Sequence, residues 1–206
     1  MFRVCILDYG LGNIQSLKNA LNKIGIQSDF YSEKKKVNYD LIFIPGIGSY
    51  FKASKLILKK EYINFLNIKN KNAKIFGICL GMQIFSTHGN EFGVSKGLNY
   101  IPGKTVKIKN PKNKLILPFV GYYDVKFYNL EKFYFLKEFD NKKFYFVHSY
   151  EIKPKFSSHI LSITNNQNTL YCSAVANDRY FGTQFHPEKS GDLGLEFIKK
   201  VILNIL

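Results

Sequence analysis

Residues 77–81 read Gly-Ile-Cys-Leu-Gly and overlap the end of the apolar run KIFGI, residues 74–78. A cysteine with glycine two before and two after is the thiol counterpart of a nucleophile elbow, where a strand turns sharply into a helix and presents the reactive atom. The glycines clear space around a strained bend and for an approaching substrate. A helix starting behind Cys79 aims free N–H groups at the sulfur, which favours the thiolate and can stabilise an oxyanion. A free cysteine is more often an inert buried thiol. Cys5 and Cys172 lie mid-strand without such a setting and read as core residues.

A thiolate needs a base. Of the four histidines, His88 follows Cys79 by nine residues, at the far end of the helix expected there, and points away. His159 follows a serine-rich turn and belongs in solvent. His186 lies in GTQFHPEKS, where a strand ends and Glu188 follows across Pro187. The proline rigidifies the turn, and i, i+2 spacing in extended chain puts both side chains on one side. Glu188 can then hold and polarise the imidazole, as in a Cys-His-acid triad. A third loop, PGIGSY, carries Gly46 and Gly48, whose backbone N–H groups can turn inward where an oxyanion forms.

These loops need a frame that brings strand ends together. Residues 2–7 form an apolar strand that stops at DYGLGN. Ile14, Leu17, Leu21 and Ile24 then repeat at helical spacing, with Asn13 as N-cap and Gly25 as stop. A short strand near 26–31, a buried strand DLIFIPG, a helix over FKASKLILKKEYINFLNIK, the strand KIFGI and a helix from CLGMQIFSTHG complete the first half. Strands without in/out alternation, separated by helices, predict a parallel sheet covered on both faces. Beyond residue 100, GKTVKIK, KLILPFVGYYDVKFY, KFYFVHSYEIKP, HILSIT, TLYCSAVA and YFGTQF read as successive strands. A final helix carries Leu195, Ile198, Ile202 and Leu206 near one stripe. The expectation is one α/β domain over 1–206, with a mixed, largely parallel sheet flanked by helices. In open parallel sheets ligands sit at the carboxyl ends of strands, and DYGLGN, PGIGSY and GICLG all leave such ends.

Composition is that of a globular chain, 46% hydrophobic and 22% charged. No run approaches a membrane span, and the apolar N-terminus soon reaches Asp8, so it reads as a strand and not a secretion signal. Three cysteines without metal-ligand spacing argue for a reducing cytoplasm, no disulfide framework and no metal. The net charge of +15 is almost all lysine, in short runs at 34–36, 109–114 and 199–200. With little arginine for bidentate contacts it does not point to a nucleic-acid partner.

The order PGIGSY, GICLGMQ, HSY, QFHPEKS resembles the class I, triad-type glutamine amidotransferases, whose fold is flavodoxin-like. The resemblance runs from end to end. ILDYGLGN and HPEKSGDLGLEFIKKV narrow it to the glutaminase subunits of imidazole glycerol phosphate synthases, of histidine biosynthesis. The resemblance implies that Cys79 attacks the side-chain amide of glutamine, that His186 takes the thiol proton and hands it to departing ammonia, and that Glu188 orients His186. It implies oxyanion N–H groups from Gly48 and Leu80. It places Gln83 and Glu91 at the glutamine amide and α-amino group, and His148, Ser149 and Tyr150 at the substrate's backbone groups. It implies no cofactor and a heterodimer with a (β/α)8-barrel cyclase subunit that receives the ammonia. DYGLGN is expected near that partner, with Asn13 also steadying PGIGSY.

One segment departs from the pattern. Where these subunits read Pro-x-x-Gly-Trp-Asn, this chain reads PFVGYYDV, with Tyr122 and Tyr123 in place of Trp-Asn, on a stretch that faces the cyclase in the family. A paralogous subunit that supplies ammonia to a sugar amidotransferase in surface-polysaccharide synthesis is therefore the alternative. A cysteine peptidase on the same fold would use Cys79 and His186 but leaves Gln83 and HSY unexplained. A basic nucleic-acid module would leave the triad unexplained.

Overall fold

The structure is a computed structural model and describes residues 2–32, 37–109, 117–128 and 130–205. The lysine run 34–36, residues 110–114 of the second run, the expected strand residues 114–116, and Leu206 lie outside the described residues.

Strand β1 (Val4–Ile6) leads into helix α1 (Ile14–Lys23), then β2 (Ser28–Phe30), β3 (Leu41–Gly46) and helix α2 (Tyr50–Ile57). Helix α3 (Lys60–Asn64) runs into a π-turn over Phe65–Lys69, followed by β4 (Lys74–Cys79) and α4 (Leu80–Gln83). Then come β5 (His88–Gly89), β6 (Ser95–Lys96), β7 (Gly103–Lys107), β8 (Phe119–Phe127), β9 (Lys142–His148) and β10 (Tyr150–Pro154). The chain closes with β11 (Ile160–Asn166), β12 (Thr169–Ala176), β13 (Tyr180–Thr183), a 3-10 turn over Pro187–Lys189 and α5 (Gly191–Ile205).

The main sheet runs β2-β1-β3-β4-β13-β12-β11-β8-β9. It is parallel from β2 through β13 and antiparallel from β13 to β9. Its central strands are apolar throughout because both faces are covered. Alternate residues go to two cores. Val4, Ile6, Leu41, Phe43, Phe76 and Ile78 face α1 and α5 with Leu17, Leu21, Phe197 and Val201. Cys5, Ile42, Ile44 and Ile75 face the other side with Ala53, Ile57, Phe65 and Leu66. Each fully buried Phe, Leu or Ile is worth about 1.5–3 kcal/mol of transfer free energy.

Four expectations are corrected. KFYFVHSYEIKP is two strands, β9 and β10, in different sheets; β10 joins a second sheet, β10-β7-β5-β6, that the sequence pattern did not predict. Ser149 is the switch between them, and its carbonyl accepts Ile108 N–H at 3.0 Å. The long helix over 51–69 is broken where Lys59 turns extended (φ −60°, ψ 144°). The break lets Phe65 reach Tyr31 and Tyr39, and the Arg179 guanidinium gathers the carbonyls of Leu66, Asn70 and Ala73 at 2.8–3.1 Å. The helix behind Cys79 is a single turn, so His88 lies in β5 and not at a helix end. His159 is half-buried with its ring against Phe156, not free in solvent. Asn13 does cap α1, accepting Ser16 N–H at 3.1 Å. Cys5 and Cys172 are buried core residues as expected, 0% and 7% exposed.

Candidate active site

Strand order brings the separate motifs to one sheet end. β4 is flanked by β3 and β13, with Gly46 paired to Cys79 and Thr183 paired to Ile78. The PGIGSY loop and the GTQFHPEKS segment therefore leave the sheet on either side of the cysteine. Cys79 adopts φ 55°, ψ −110°, a conformation that a residue with a Cβ occupies at the expense of strain. The glycines explain how it is accommodated. A Cβ on Gly81 would stand 1.7 Å from the Ile44 carbonyl oxygen, and one on Gly77 would stand 2.6 Å from Gly81 O and Phe85 Cζ. One on Gly46 would meet the Tyr9 hydroxyl at 2.6 Å and Leu80 Cβ at 2.9 Å. Gly48 is exposed and at φ 109°, with nothing near its missing Cβ, so it serves the loop's path and not close packing. Leu80 opens the single turn of α4 and is buried.

His186 Nδ1 lies 2.8 Å from Glu188 Oε1, with both side chains at most 4% exposed. The pair forms although Pro187–Lys189 is a 3-10 turn and not the extended chain that the i, i+2 argument assumed. The turn is fastened at several points. His186 N–H donates to Tyr145 O at 2.8 Å, and Ser190 Oγ donates to His186 O at 2.7 Å. Ser190 Oγ also accepts Tyr145 N–H at 3.0 Å, so the turn covers the edge of β9. A Cβ on Gly194 would sit 1.9 Å from Pro187 O, which shows how closely α5 packs on this turn.

With Nδ1 committed to Glu188, the nitrogen left for Cys79 is Nε2, which is shielded and makes no hydrogen bond among the described residues. Burial opposes the imidazolium, but the Cys79 sulfur and the Glu188 carboxylate outweigh it and push the His186 pKa up to about 10. The protonated form of the ring is therefore the one this environment favours.

Of the glutamine-binding candidates, Gln83 and His148 meet at the Tyr150 carbonyl, while Glu91 is held elsewhere, by α2. Gln83 is buried, and its Nε2 donates to Tyr150 O at 2.9 Å and to Gln184 Oε1 at 3.0 Å. Glu91 Oε2 accepts the Tyr50 N–H at 2.6 Å, tying the loop after β5 to the first residue of α2. His148 Nδ1 donates to Tyr150 O at 2.9 Å. Tyr122 is 53% exposed, and its hydroxyl donates to Lys189 O at 3.1 Å, one residue beyond Glu188. Tyr123 turns inward against Phe119 and Phe146. Asn13 is exposed and spent on its helix; it is Gly12 that lies against PGIGSY, within 3.4 Å of Pro45 and Gly46 backbone at its missing Cβ.

Sequence reasoning missed Gln184, fully buried with Nε2 3.5 Å from Cys79 Sγ. The signal was present: Gln184 stands two before His186, the spacing already used for Glu188. It missed the Val147 carbonyl, which accepts from Cys79 Sγ at 3.9 Å. It also missed Tyr9, whose buried hydroxyl has no partner among the described residues. Among the described residues no group of three or more His, Cys, Asp or Glu is placed to hold a metal ion.

Burial pushes the His148 pKa down to about 4, with His186 adding to the effect and the bond to Tyr150 opposing it. The unfolded ring titrates near 6.5. The unfolded chain therefore takes up a proton that the folded chain refuses. Stability should be complete above about pH 6.5 and fall as pH drops toward 4, by up to roughly 3 kcal/mol. His186, shifted upward, changes its contribution only above about pH 6.5 and does not add to this slope. Thermal melts of His148→Phe should show a flatter acid limb than the parent between pH 6.5 and 4.5; an unchanged slope would refute the assignment.

The model of the glutamine amidotransferase class-I family matches residues 5–204. The imidazole glycerol phosphate synthase subunit HisH of Sulfolobus acidocaldarius is 38% identical over 200 residues, covering 97% of this chain and 96% of that protein. The subunit of the same name from Chlorobaculum tepidum is 34% identical over 200 residues, covering 95% and 97%. A solved glutamine amidotransferase superposes with a TM-score of 0.69 at 16% identity, covering 98% of this chain and 99% of that one. PurLQS from Thermotoga maritima superposes with a TM-score of 0.68 at 19% identity, with full coverage of both chains.

Proposed function

This chain belongs to the class-I glutamine amidotransferases, and from that membership we propose that it is the glutaminase subunit of an imidazole glycerol phosphate synthase. The observation that carries the chemistry is the His186 ring, tied at Nδ1 to Glu188 and left with only Nε2 to meet the sulfur at the elbow. Cys79 Sγ attacks the δ-carbon of glutamine, and the carbonyl oxygen becomes an oxyanion facing the N–H groups of Leu80 and of the Gly46–Gly48 loop. His186 holds the thiol proton and delivers it to the leaving nitrogen, so ammonia departs and a glutamyl thioester remains. Water, deprotonated by the same ring, hydrolyses the thioester to glutamate. Glu188 keeps the ring oriented and stabilises its cationic form.

Ammonia released into water becomes ammonium, which is not nucleophilic, so the product must pass directly to an acceptor subunit. The rim around Cys79 suits docking. Ile47 (44% exposed) follows the glycine paired to Cys79, Val120 (54%) pairs with Val147, and Tyr122 covers the triad turn. An exposed apolar rim of this kind favours a protein partner, which we take to be the barrel-shaped cyclase.

The test is glutamate release by the purified chain alone, and then with the cyclase subunit of the same source and its nucleotide substrate. Strong stimulation is the expected result. Cys79 labelling by a glutamine-mimicking affinity reagent without complex formation or stimulation would keep the glutaminase and transfer the acceptor to a sugar amidotransferase. Absence of both labelling and turnover would overturn the reading.

A further inference from the structure

The thiolate at Cys79 needs a source of stabilisation besides His186, because α4 is only one turn long and a single turn carries little macrodipole. Gln184 supplies a candidate, and the way its amide points follows from its neighbours. The Tyr150 carbonyl can only accept, and Gln83 reaches it at 2.9 Å, so Gln83 must present its NH2 there. The same NH2 lies 3.0 Å from one terminus of the Gln184 amide, which must therefore be Oε1. The other terminus, Nε2, is then turned toward Cys79 Sγ at 3.5 Å. The parts are enclosed: Gln184 is 0%, Gln83 5% and Cys79 5% exposed. Flipping Gln184 alone would set its NH2 against that of Gln83, so the orientation is locked from behind.

We infer that Gln184 is a positioning residue for the nucleophile, a donor aimed by Gln83 and the Tyr150 carbonyl that holds the Cys79 sulfur and favours its anionic form. The protonated sulfur donates to Val147 O. Loss of that proton removes this bond and turns the Gln184 N–H···S contact into a charge-assisted one, so the contact strengthens as the nucleophile forms. The inference rests on the proposed role of Cys79. It adds to that role a relay from strand end β10, through Tyr150, Gln83 and Gln184, to the reacting atom.

The experiment is the pH profile of iodoacetamide alkylation of the intact chain, read by mass spectrometry on the Cys79 peptide so that Cys5 and Cys172 do not contribute. In Gln184→Met the midpoint should move up by about one pH unit, and in the isosteric Gln184→Glu further, since a carboxylate faces the thiolate. Gln83→Leu, which leaves Gln184 in place but frees its amide, should shift the midpoint the same way by less. For glutamine turnover kcat should drop about tenfold in Gln184→Met with KM nearly unchanged. A folded Gln184→Met with the parent profile would overturn the inference. Should that variant not fold, the Gln184→Glu profile decides on the same criterion. A shifted profile in a chain that never turns over glutamine would keep this inference and refute the proposed function.

Discussion

Cys79→Ser should reduce kcat/KM for glutamine hydrolysis by roughly a thousandfold or more while moving the thermal midpoint by less than about 3 °C. The hydroxyl fits where the thiol sat, at the same φ of 55°, and removes no apolar packing beyond one sulfur. Its proton is far harder to remove at neutral pH, so the attack on the amide loses its nucleophile. A second consequence separates this assignment from general damage. The sulfur is the foremost of the influences that raise the His186 pKa to about 10, and burial works against the imidazolium. With serine in place only Glu188 holds the ring charged, so ring NMR should find His186 titrating well below its parent value. Retained turnover, or an unmoved His186, would show that Cys79 is not the group that faces the base.

Gly81→Ala should destabilise the protein by more than about 3 kcal/mol, or prevent it from folding at all. The added methyl would lie 1.7 Å from the Ile44 carbonyl oxygen. That atom is backbone in a buried central strand, so it cannot swing aside as a side chain would. Relief would require α4 to lift from β3, and that movement would open the elbow whose bend positions Cys79. Gly48→Ala is the matched control. Nothing lies within 4 Å of its missing Cβ, and only the positive φ of 109° is violated, so its loss should stay near 1 kcal/mol. Denaturant midpoints of the two variants measure the contrast, and equal losses would mean that α4 and β3 part at little cost, so that the close approach does not dictate the glycine at 81.

The expectation for Cys79 was readable because an elbow is a local pattern. Glycines at −2 and +2 leave their mark in five residues, as does a histidine separated from a carboxylate by proline. The buried strands were readable for the same reason, since β3 and β4 sit between two covered faces and carry unbroken apolar runs. What misled was also local. The helical periodicity after Ser49 predicts one helix, and only the burial of Phe65 and the reach of Arg179 to carbonyls at Leu66 and Asn70 divide it. An extended HPE segment gave the right pair for a mistaken geometry, because a 3-10 turn also brings His186 Nδ1 to Glu188.

By itself, then, the sequence determined which residues are the candidates for the chemistry and which strands must be buried, because side-chain type and short-range spacing are properties of the chain before it folds. Tertiary structure alone decided how the Cys79 sulfur is held. Gln83 meets Tyr150 across 67 residues and Gln184 across 101, and Gln184 meets Cys79 across 105. Donors and acceptors so far apart are paired by the order of strands β3, β4 and β13 and by the switch of sheet at Ser149. A buried amide takes its orientation from the one neighbour that can only accept, and no spacing along the chain encodes which neighbour that will be.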